Sequence, residues 1–138
     1  MYGYLKEVFC MYNRYLITGA TGFLGRAVVE QLVRLNVRID ALVLHNDSSA
    51  ALLPKEVHTV IGDVCEDDSL EQFFADADNN TCVIHCAGII SVASRSGTKL
   101  YQVNVGGTRN VVLQCLKRHI GKMVYVSSVH AIPEKPKN

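Results

Sequence analysis

Three glycines at a spacing of three, Gly19, Gly22 and Gly25, stand between a short apolar run and an amphipathic stretch, and this arrangement constrains the fold of the 138-residue chain most. Arg14-Tyr-Leu-Ile-Thr18 reads as a fully buried strand. Residues 23–35 place Leu24, Ala27, Val28, Leu32 and Leu35 on one face of a helix. A chain turning tightly from strand to helix needs a residue that accepts positive φ, here Gly19. It needs a bare backbone where an anion is to approach, here Gly22, and a position where helix and strand touch, here Gly25. The first amides of such a helix, those of Phe23 and Leu24, have no partner within it and sit at the positive end of its dipole. The segment Thr18-Gly-Ala-Thr21-Gly-Phe-Leu-Gly25 is therefore expected to hold a pyrophosphate.

Beyond the turn, short apolar runs alternate with longer amphipathic ones, the pattern of a parallel sheet covered by helices on both faces. Strands are expected over residues 38–44, 57–61, 81–86 and 123–126, with a short helical turn over 48–53 that Pro54 ends. Asp67-Asp68-Ser69 supplies capping oxygens for a helix whose face carries Leu70, Phe73 and Phe74. The longest helix is expected over 99–119, with Leu100, Val103, Gly107, Val111 and either Cys115 or Leu116 at helical spacing. Gly106 and Gly107 each weaken it by about 1 kcal/mol relative to alanine, which predicts close packing on the sheet. The expected fold is α/β: a three-layer Rossmann fold with a parallel sheet of about five strands in the order 3-2-1-4-5. It is expected to occupy residues 13–132, between an N-terminal extension over 1–12 and a flexible tail over 133–138.

Charge and cysteine usage narrow the function classes. Fourteen lysines and arginines against 13 acids leave a formal charge of +1, which provides no field for nucleic acid or an anionic membrane. No apolar run approaches the roughly 20 residues of a membrane span. Cys10, Cys65, Cys82, Cys86 and Cys115 form no CxxC pair, so reduced thiols and a cytoplasmic location are expected. His58, His119 and His130 share no metal-ligand spacing with the cysteines, and no metal is expected. Arg95, Lys99 and Arg109 read as a solvated loop and helix face.

The glycine spacing, one residue wider at its first gap than the general dinucleotide fingerprint, resembles that of the extended short-chain dehydrogenase/reductases. These are the NAD-dependent epimerases and dehydratases and their dihydroflavonol-reductase-like relatives, and the similarity runs in order from Arg14 to Ala131. It implies that Gly19, Thr21, Gly22, Phe23, Leu24 and Gly25 bind the cofactor pyrophosphate. It also implies that Asp63 and Val64, in Gly62-Asp63-Val64, contact adenine. Cys86, Ala87 and Gly88, in His85-Cys-Ala-Gly88, would face the adenosine ribose and phosphates. Tyr101-Gln-Val-Asn104-Val-Gly-Gly-Thr108 resembles the helix whose asparagine organises the active-site floor, which assigns Asn104. Val124-Tyr-Val-Ser127-Ser128 resembles the fifth strand, with Ser128 holding a substrate hydroxyl or carbonyl and Ser127 beside the nicotinamide. The cofactor is NAD or NADP. His45, in Leu44-His45-Asn46-Asp47, lies where the adenosine ribose is read, Asp47 is slightly past it, and the lack of an arginine there leans toward NAD.

One element of the resemblance is missing. The family transfers hydride with a tyrosine acid/base and a lysine four residues on, and no such pair follows Ser128. Tyr101 and Tyr125 have Val105 and Val129 at that spacing. The chain is thus expected to be truncated before the substrate lobe and inactive alone. Its parent would be a reductase, epimerase or dehydratase acting on a nucleotide sugar or a small carbonyl or hydroxyl compound. The competing readings are a non-catalytic NAD(P)-sensing protein and a scaffold without nucleotide affinity. Apolar surface left where a lobe should pack predicts homo-oligomers.

Overall fold

The structure, a computed structural model, describes residues 12–90 and 97–128. Residues 1–11 of the expected extension, Arg95, His130 and the tail over 133–138 lie outside the described residues.

Five strands, β1 (Arg14–Thr18), β2 (Arg38–Val43), β3 (His58–Ile61), β4 (Thr81–His85) and β5 (Lys122–Tyr125), form one sheet in the order β3-β2-β1-β4-β5. All four pairings are parallel, with β1 central between Arg38↔Arg14 and Arg14↔Thr81 registers. This is the expected Rossmann fold, with strand ends within one residue of those read from the apolar runs.

Because strand side chains alternate, each of the three central strands, β2, β1 and β4, feeds two cores. Tyr15, Ile17, Ile39, Ala41, Val43 and Cys82 face one side, where Val29 and Leu32 of α1 (Phe23–Arg34) cover them. Leu16, Leu42 and Val83 face the other. There they meet Leu70, Phe73 and Phe74 of α2 (Asp67–Phe73) and its end, together with Val111 and Cys115 of α4 (Thr108–Lys117). The Phe73 and Phe74 rings meet edge to face at 5.6 Å. Tyr12, just before β1, packs against the first core. On the second face, fully buried Asp40 joins three strands at their amino ends. Its carboxylate takes Arg14 Nε at 2.6 Å, Arg38 Nε at 3.2 Å and His58 Nδ1 at 2.8 Å. Burial raises the Asp40 pKa, but the Arg14 hydrogen bond and charge, with His58 and Arg38, outweigh it and hold the carboxyl below its ordinary value.

Several local expectations are corrected. The buried stripe of α1 is Gly25, Val29 and Leu32, whereas Leu24 and Ala27 are exposed. The close approach at Gly25 rotates the helix so that the stripe begins there. At α2 the N-cap is Glu66 and no side chain caps the end; Asp67 and Asp68 lie in the first turn, where they favour the helix dipole without a capping bond. The long helix is not uniform. A helical turn α3 (Gly97–Tyr101) passes into a π-helical segment (Gln102–Gly107) and then into α4. Cys115, not Leu116, is the buried alternative. Gly107 packs tightly, since a Cβ there would lie 2.5 Å from Val64 Cγ2, but Gly106 faces open space.

Candidate functional site

All strands point the same way, so every connection after a strand opens on one edge of the sheet, where open α/β sheets bind ligands. The expected site residues gather at that edge. The glycine turn follows β1, His45 and Asp47 follow β2, Asp63 follows β3, Cys86, Ala87 and Gly88 follow β4, and Ser127 and Ser128 follow β5. The same rim exposes at least one large apolar side chain after or at the end of each strand, among them Phe23, Leu44, Ile61, Ile90 and Val126. Phe23 is 91% and Ile90 98% exposed.

At the turn Gly19 has φ +70°, and a Cβ there would lie 2.6 Å from Ala87 N. A Cβ on Gly25 would lie 2.0 Å from Gly19 O. Gly22 N donates to Gly19 O at 3.1 Å, and Arg26 N makes the first helical bond, to Gly22 O at 3.0 Å. The amides of Phe23 and Leu24 thus precede the helical ladder. The N-cap, Gly22, supplies no side-chain bond, and the first turn contains no acid, so no side chain of the helix itself caps its positive end.

Beside it, Thr21 Oγ1 donates to Asp47 Oδ2 at 2.6 Å, while Asp47 Oδ1 accepts from Ser49 N at 2.9 Å. The Thr21 bond, with those from Ser49, holds the Asp47 carboxyl below its ordinary pKa against a smaller opposing effect of burial. This link ties the glycine turn to the end of β2, and sequence reading placed Asp47 merely past the expected position. A shallow cleft of about 340 Å³ runs from Leu44 and His45 to Ile61, Gly62 and Asp63. Asp63 Oδ1 accepts from Cys65 N at 2.9 Å, forming a local turn. Val64 is buried in the core rather than lining this cleft, and its backbone oxygen accepts from Asn110 Nδ2 at 3.1 Å.

The end of β4 is held by a polar cluster that sequence reading missed, apart from Asn104. Asn104 Oδ1 accepts from Ile89 N at 2.7 Å and its Nδ2 donates to Ile89 O at 2.9 Å, so the π-helical segment pins the chain after Gly88. His85 is fully buried, with Nδ1 2.6 Å from Thr18 Oγ1 and Nε2 2.9 Å from Thr108 Oγ1. Its ring stacks on Tyr125 at 5.6 Å. The only available signal was a histidine closing the otherwise apolar run Thr81-Cys-Val-Ile-His85.

Burial lowers the His85 pKa from 6.5 to about 4. The unfolded chain therefore binds this proton first, and the stability that neutral His85 contributes above pH 6.5 is lost as pH falls toward 4. The loss amounts to roughly 3 kcal/mol. Urea unfolding between pH 7 and 5 checks this: stability is expected to fall steadily across the window in wild type and much less in His85→Gln. Parallel pH curves would contradict it.

The fold and this edge define a Rossmann domain of the short-chain dehydrogenase/reductase class. The chain belongs to the 3-beta hydroxysteroid dehydrogenase/isomerase family, whose pattern matches residues 16–137. It is similar to human 3 beta-hydroxysteroid dehydrogenase type 7, at 34% identity over 125 residues, covering 86% of this chain and 33% of that protein. It is also similar to a putative dihydroflavonol 4-reductase of Synechocystis sp., at 32% identity over 127 residues, covering 91% of this chain and 35% of that protein. Among solved structures, the UDP-glucose 4-epimerase of Thermus thermophilus in complex with NAD superposes with a TM-score of 0.75 at 25% identity, covering 83% of this chain and 37% of the other. The chain spans about a third of the length of these relatives.

Proposed function

We propose that this chain is the nicotinamide-dinucleotide-binding part of an NAD(P)-dependent oxidoreductase, epimerase or dehydratase. The observation that carries the reading is the open amino end of α1: a tight glycine turn, no capping side chain and no acid within the helix's own first turn. In this reading Gly19, Thr21, Gly22, Phe23, Leu24 and Gly25 hold the pyrophosphate, and the amides of Phe23 and Leu24 are the principal donors. The adenosine lies in the cleft by His45 and Asp63, and Cys86, Ala87 and Gly88 form its wall. Ser127 stands beside the nicotinamide, Ser128 meets the substrate oxygen, and Asn104 positions the floor. The solved epimerase with NAD supports the choice of cofactor class.

The charged Asp47, hydrogen-bonded to Thr21 just past His45, and the lack of an arginine in this segment favour NAD over the more highly charged NADP. The nicotinamide accepts or delivers hydride when bound. Lacking a Tyr-x-x-x-Lys pair after Ser128, the chain alone binds cofactor without turning it over. The substrate of the whole protein is a small hydroxyl or carbonyl compound or a nucleotide sugar.

Fluorescence titration of the 138-residue chain with NADH and NADPH tests this. NADH is expected to bind about tenfold more tightly than NADPH, the equivalent of about 1.4 kcal/mol of like-charge repulsion. Binding of neither overturns the proposal, and substrate-dependent NADH formation by the chain overturns its inactivity.

A further inference from the structure

In the polar cluster under β4, one tautomer of His85 gives every neighbouring donor an acceptor. Thr108 Oγ1 lies 2.8 Å from Asn104 O, a carbonyl that can only accept, so the single Thr108 hydroxyl proton is committed there. With that proton so placed, His85 Nε2 is the N–H that donates to Thr108 Oγ1. A neutral ring so protonated has a bare Nδ1, which accepts from the Thr18 hydroxyl. Thr18 Oγ1 in turn accepts from the Ala87 amide at 3.3 Å. Every bond runs one way: Ala87 N–H to Thr18, Thr18 O–H to His85, His85 Nε2–H to Thr108, Thr108 O–H to Asn104 O. The last residue of the series also grips both backbone groups of Ile89.

We propose that Thr18, His85 and Thr108 are positioning residues, forming a directional relay that couples the π-helical segment to the backbone of Ala87–Ile89 and so sets the wall facing the bound dinucleotide. The relay joins β1, β4 and the helical layer through one imidazole in one tautomer, so a change at Thr108 is felt at Ala87, on the far side of the ring. Its functional consequence rests on the dinucleotide reading above, whereas its existence does not.

Three measurements test it on the 138-residue chain. Nitrogen-15 shifts of the imidazole are expected to show the Nε2–H tautomer in wild type at pH 7. Thr108→Val, which removes the acceptor, is expected to move the ring toward Nδ1–H, and Thr108→Ser to restore Nε2–H. A residue that only fills space would leave the tautomer unchanged in all three. Hydrogen exchange at the Ala87 and Ile89 amides is expected to quicken about tenfold in Thr108→Val, the equivalent of one lost hydrogen bond, with Leu16 in β1 unchanged. NADH affinity is expected to fall about tenfold in Thr108→Val and to recover in Thr108→Ser. An Nδ1–H or charged ring in wild type overturns the relay without any variant, as does unchanged exchange in a folded Thr108→Val. If wild type binds NADH and Thr108→Val binds it equally well, the positioning role falls. If wild type binds no NADH while tautomer and exchange behave as stated, the dinucleotide reading fails and the relay stands.

Discussion

Gly25→Ala is expected to destabilise the chain by about 3–5 kcal/mol, the range of severe backbone and packing defects. The added methyl would lie 2.0 Å from Gly19 O and 2.8 Å from Ala20 Cα, and neither is a side chain that can rotate away. Relief requires α1 to lift from β1, which uncovers Val29 and Leu32 and opens the turn that holds Gly22 in place. Thermal unfolding followed by circular dichroism provides the number. Gly106→Ala is the control: it too is a helical glycine, but its methyl would enter open space, so it should be neutral or stabilising by the usual propensity gain of up to about 1 kcal/mol. Equal effects of the two substitutions would show that helix propensity, not contact at the turn, governs the region.

Asp40→Ala is expected to cost a similar amount, about 3–5 kcal/mol, because it strands the buried Arg14 guanidinium. Arg14 Nη1 still donates to Ala75 O at 2.7 Å, but a carbonyl does not neutralise it. Replacing both partners by apolar residues of similar volume, Arg14→Met with Asp40→Leu, should recover most of the loss, since the desolvation of both charges disappears with them. Guanidinium unfolding of the single and double variants decides this, and a double variant no better than Asp40→Ala would contradict it. Acid adds a second criterion. A depressed folded-state pKa means that the contribution of Asp40 is complete above its ordinary value of 3.8 and is lost as pH falls through the lower folded value. That window lies below the one in which His85 titrates, so acid unfolding should show two stages of weakening.

The sheet was legible because its central strands are apolar on both faces and its helices amphipathic, so period and punctuation agree along the chain. The glycine turn was legible for a different reason: few residues can stand at φ +70° or where a Cβ would lie 2.0 Å from a carbonyl oxygen, and glycine declares such places directly. What one sequence could not reveal was which polar residues meet. Thr18, His85 and Thr108 are far apart along the chain, and each has an ordinary local explanation as a strand end or helix start. Their alignment comes from parallel register, Thr18 opposite His85, and from the packing of α4 beneath. Asp47 was similarly opaque, because its bond to Thr21 crosses 26 residues of sequence. The π-helical segment was hidden too, since Gly106-Gly107 suggested only close packing and just one of the two glycines packs closely.

The most direct test of the pyrophosphate site is a proton–nitrogen correlation titration of the 138-residue chain with NADH. The Gly22, Phe23 and Leu24 amides are expected to show the largest saturable shifts, followed by His45 and Ala87. NADH binding that leaves the amides of residues 22–24 unmoved would contradict the site, and so would a spectrum unchanged throughout.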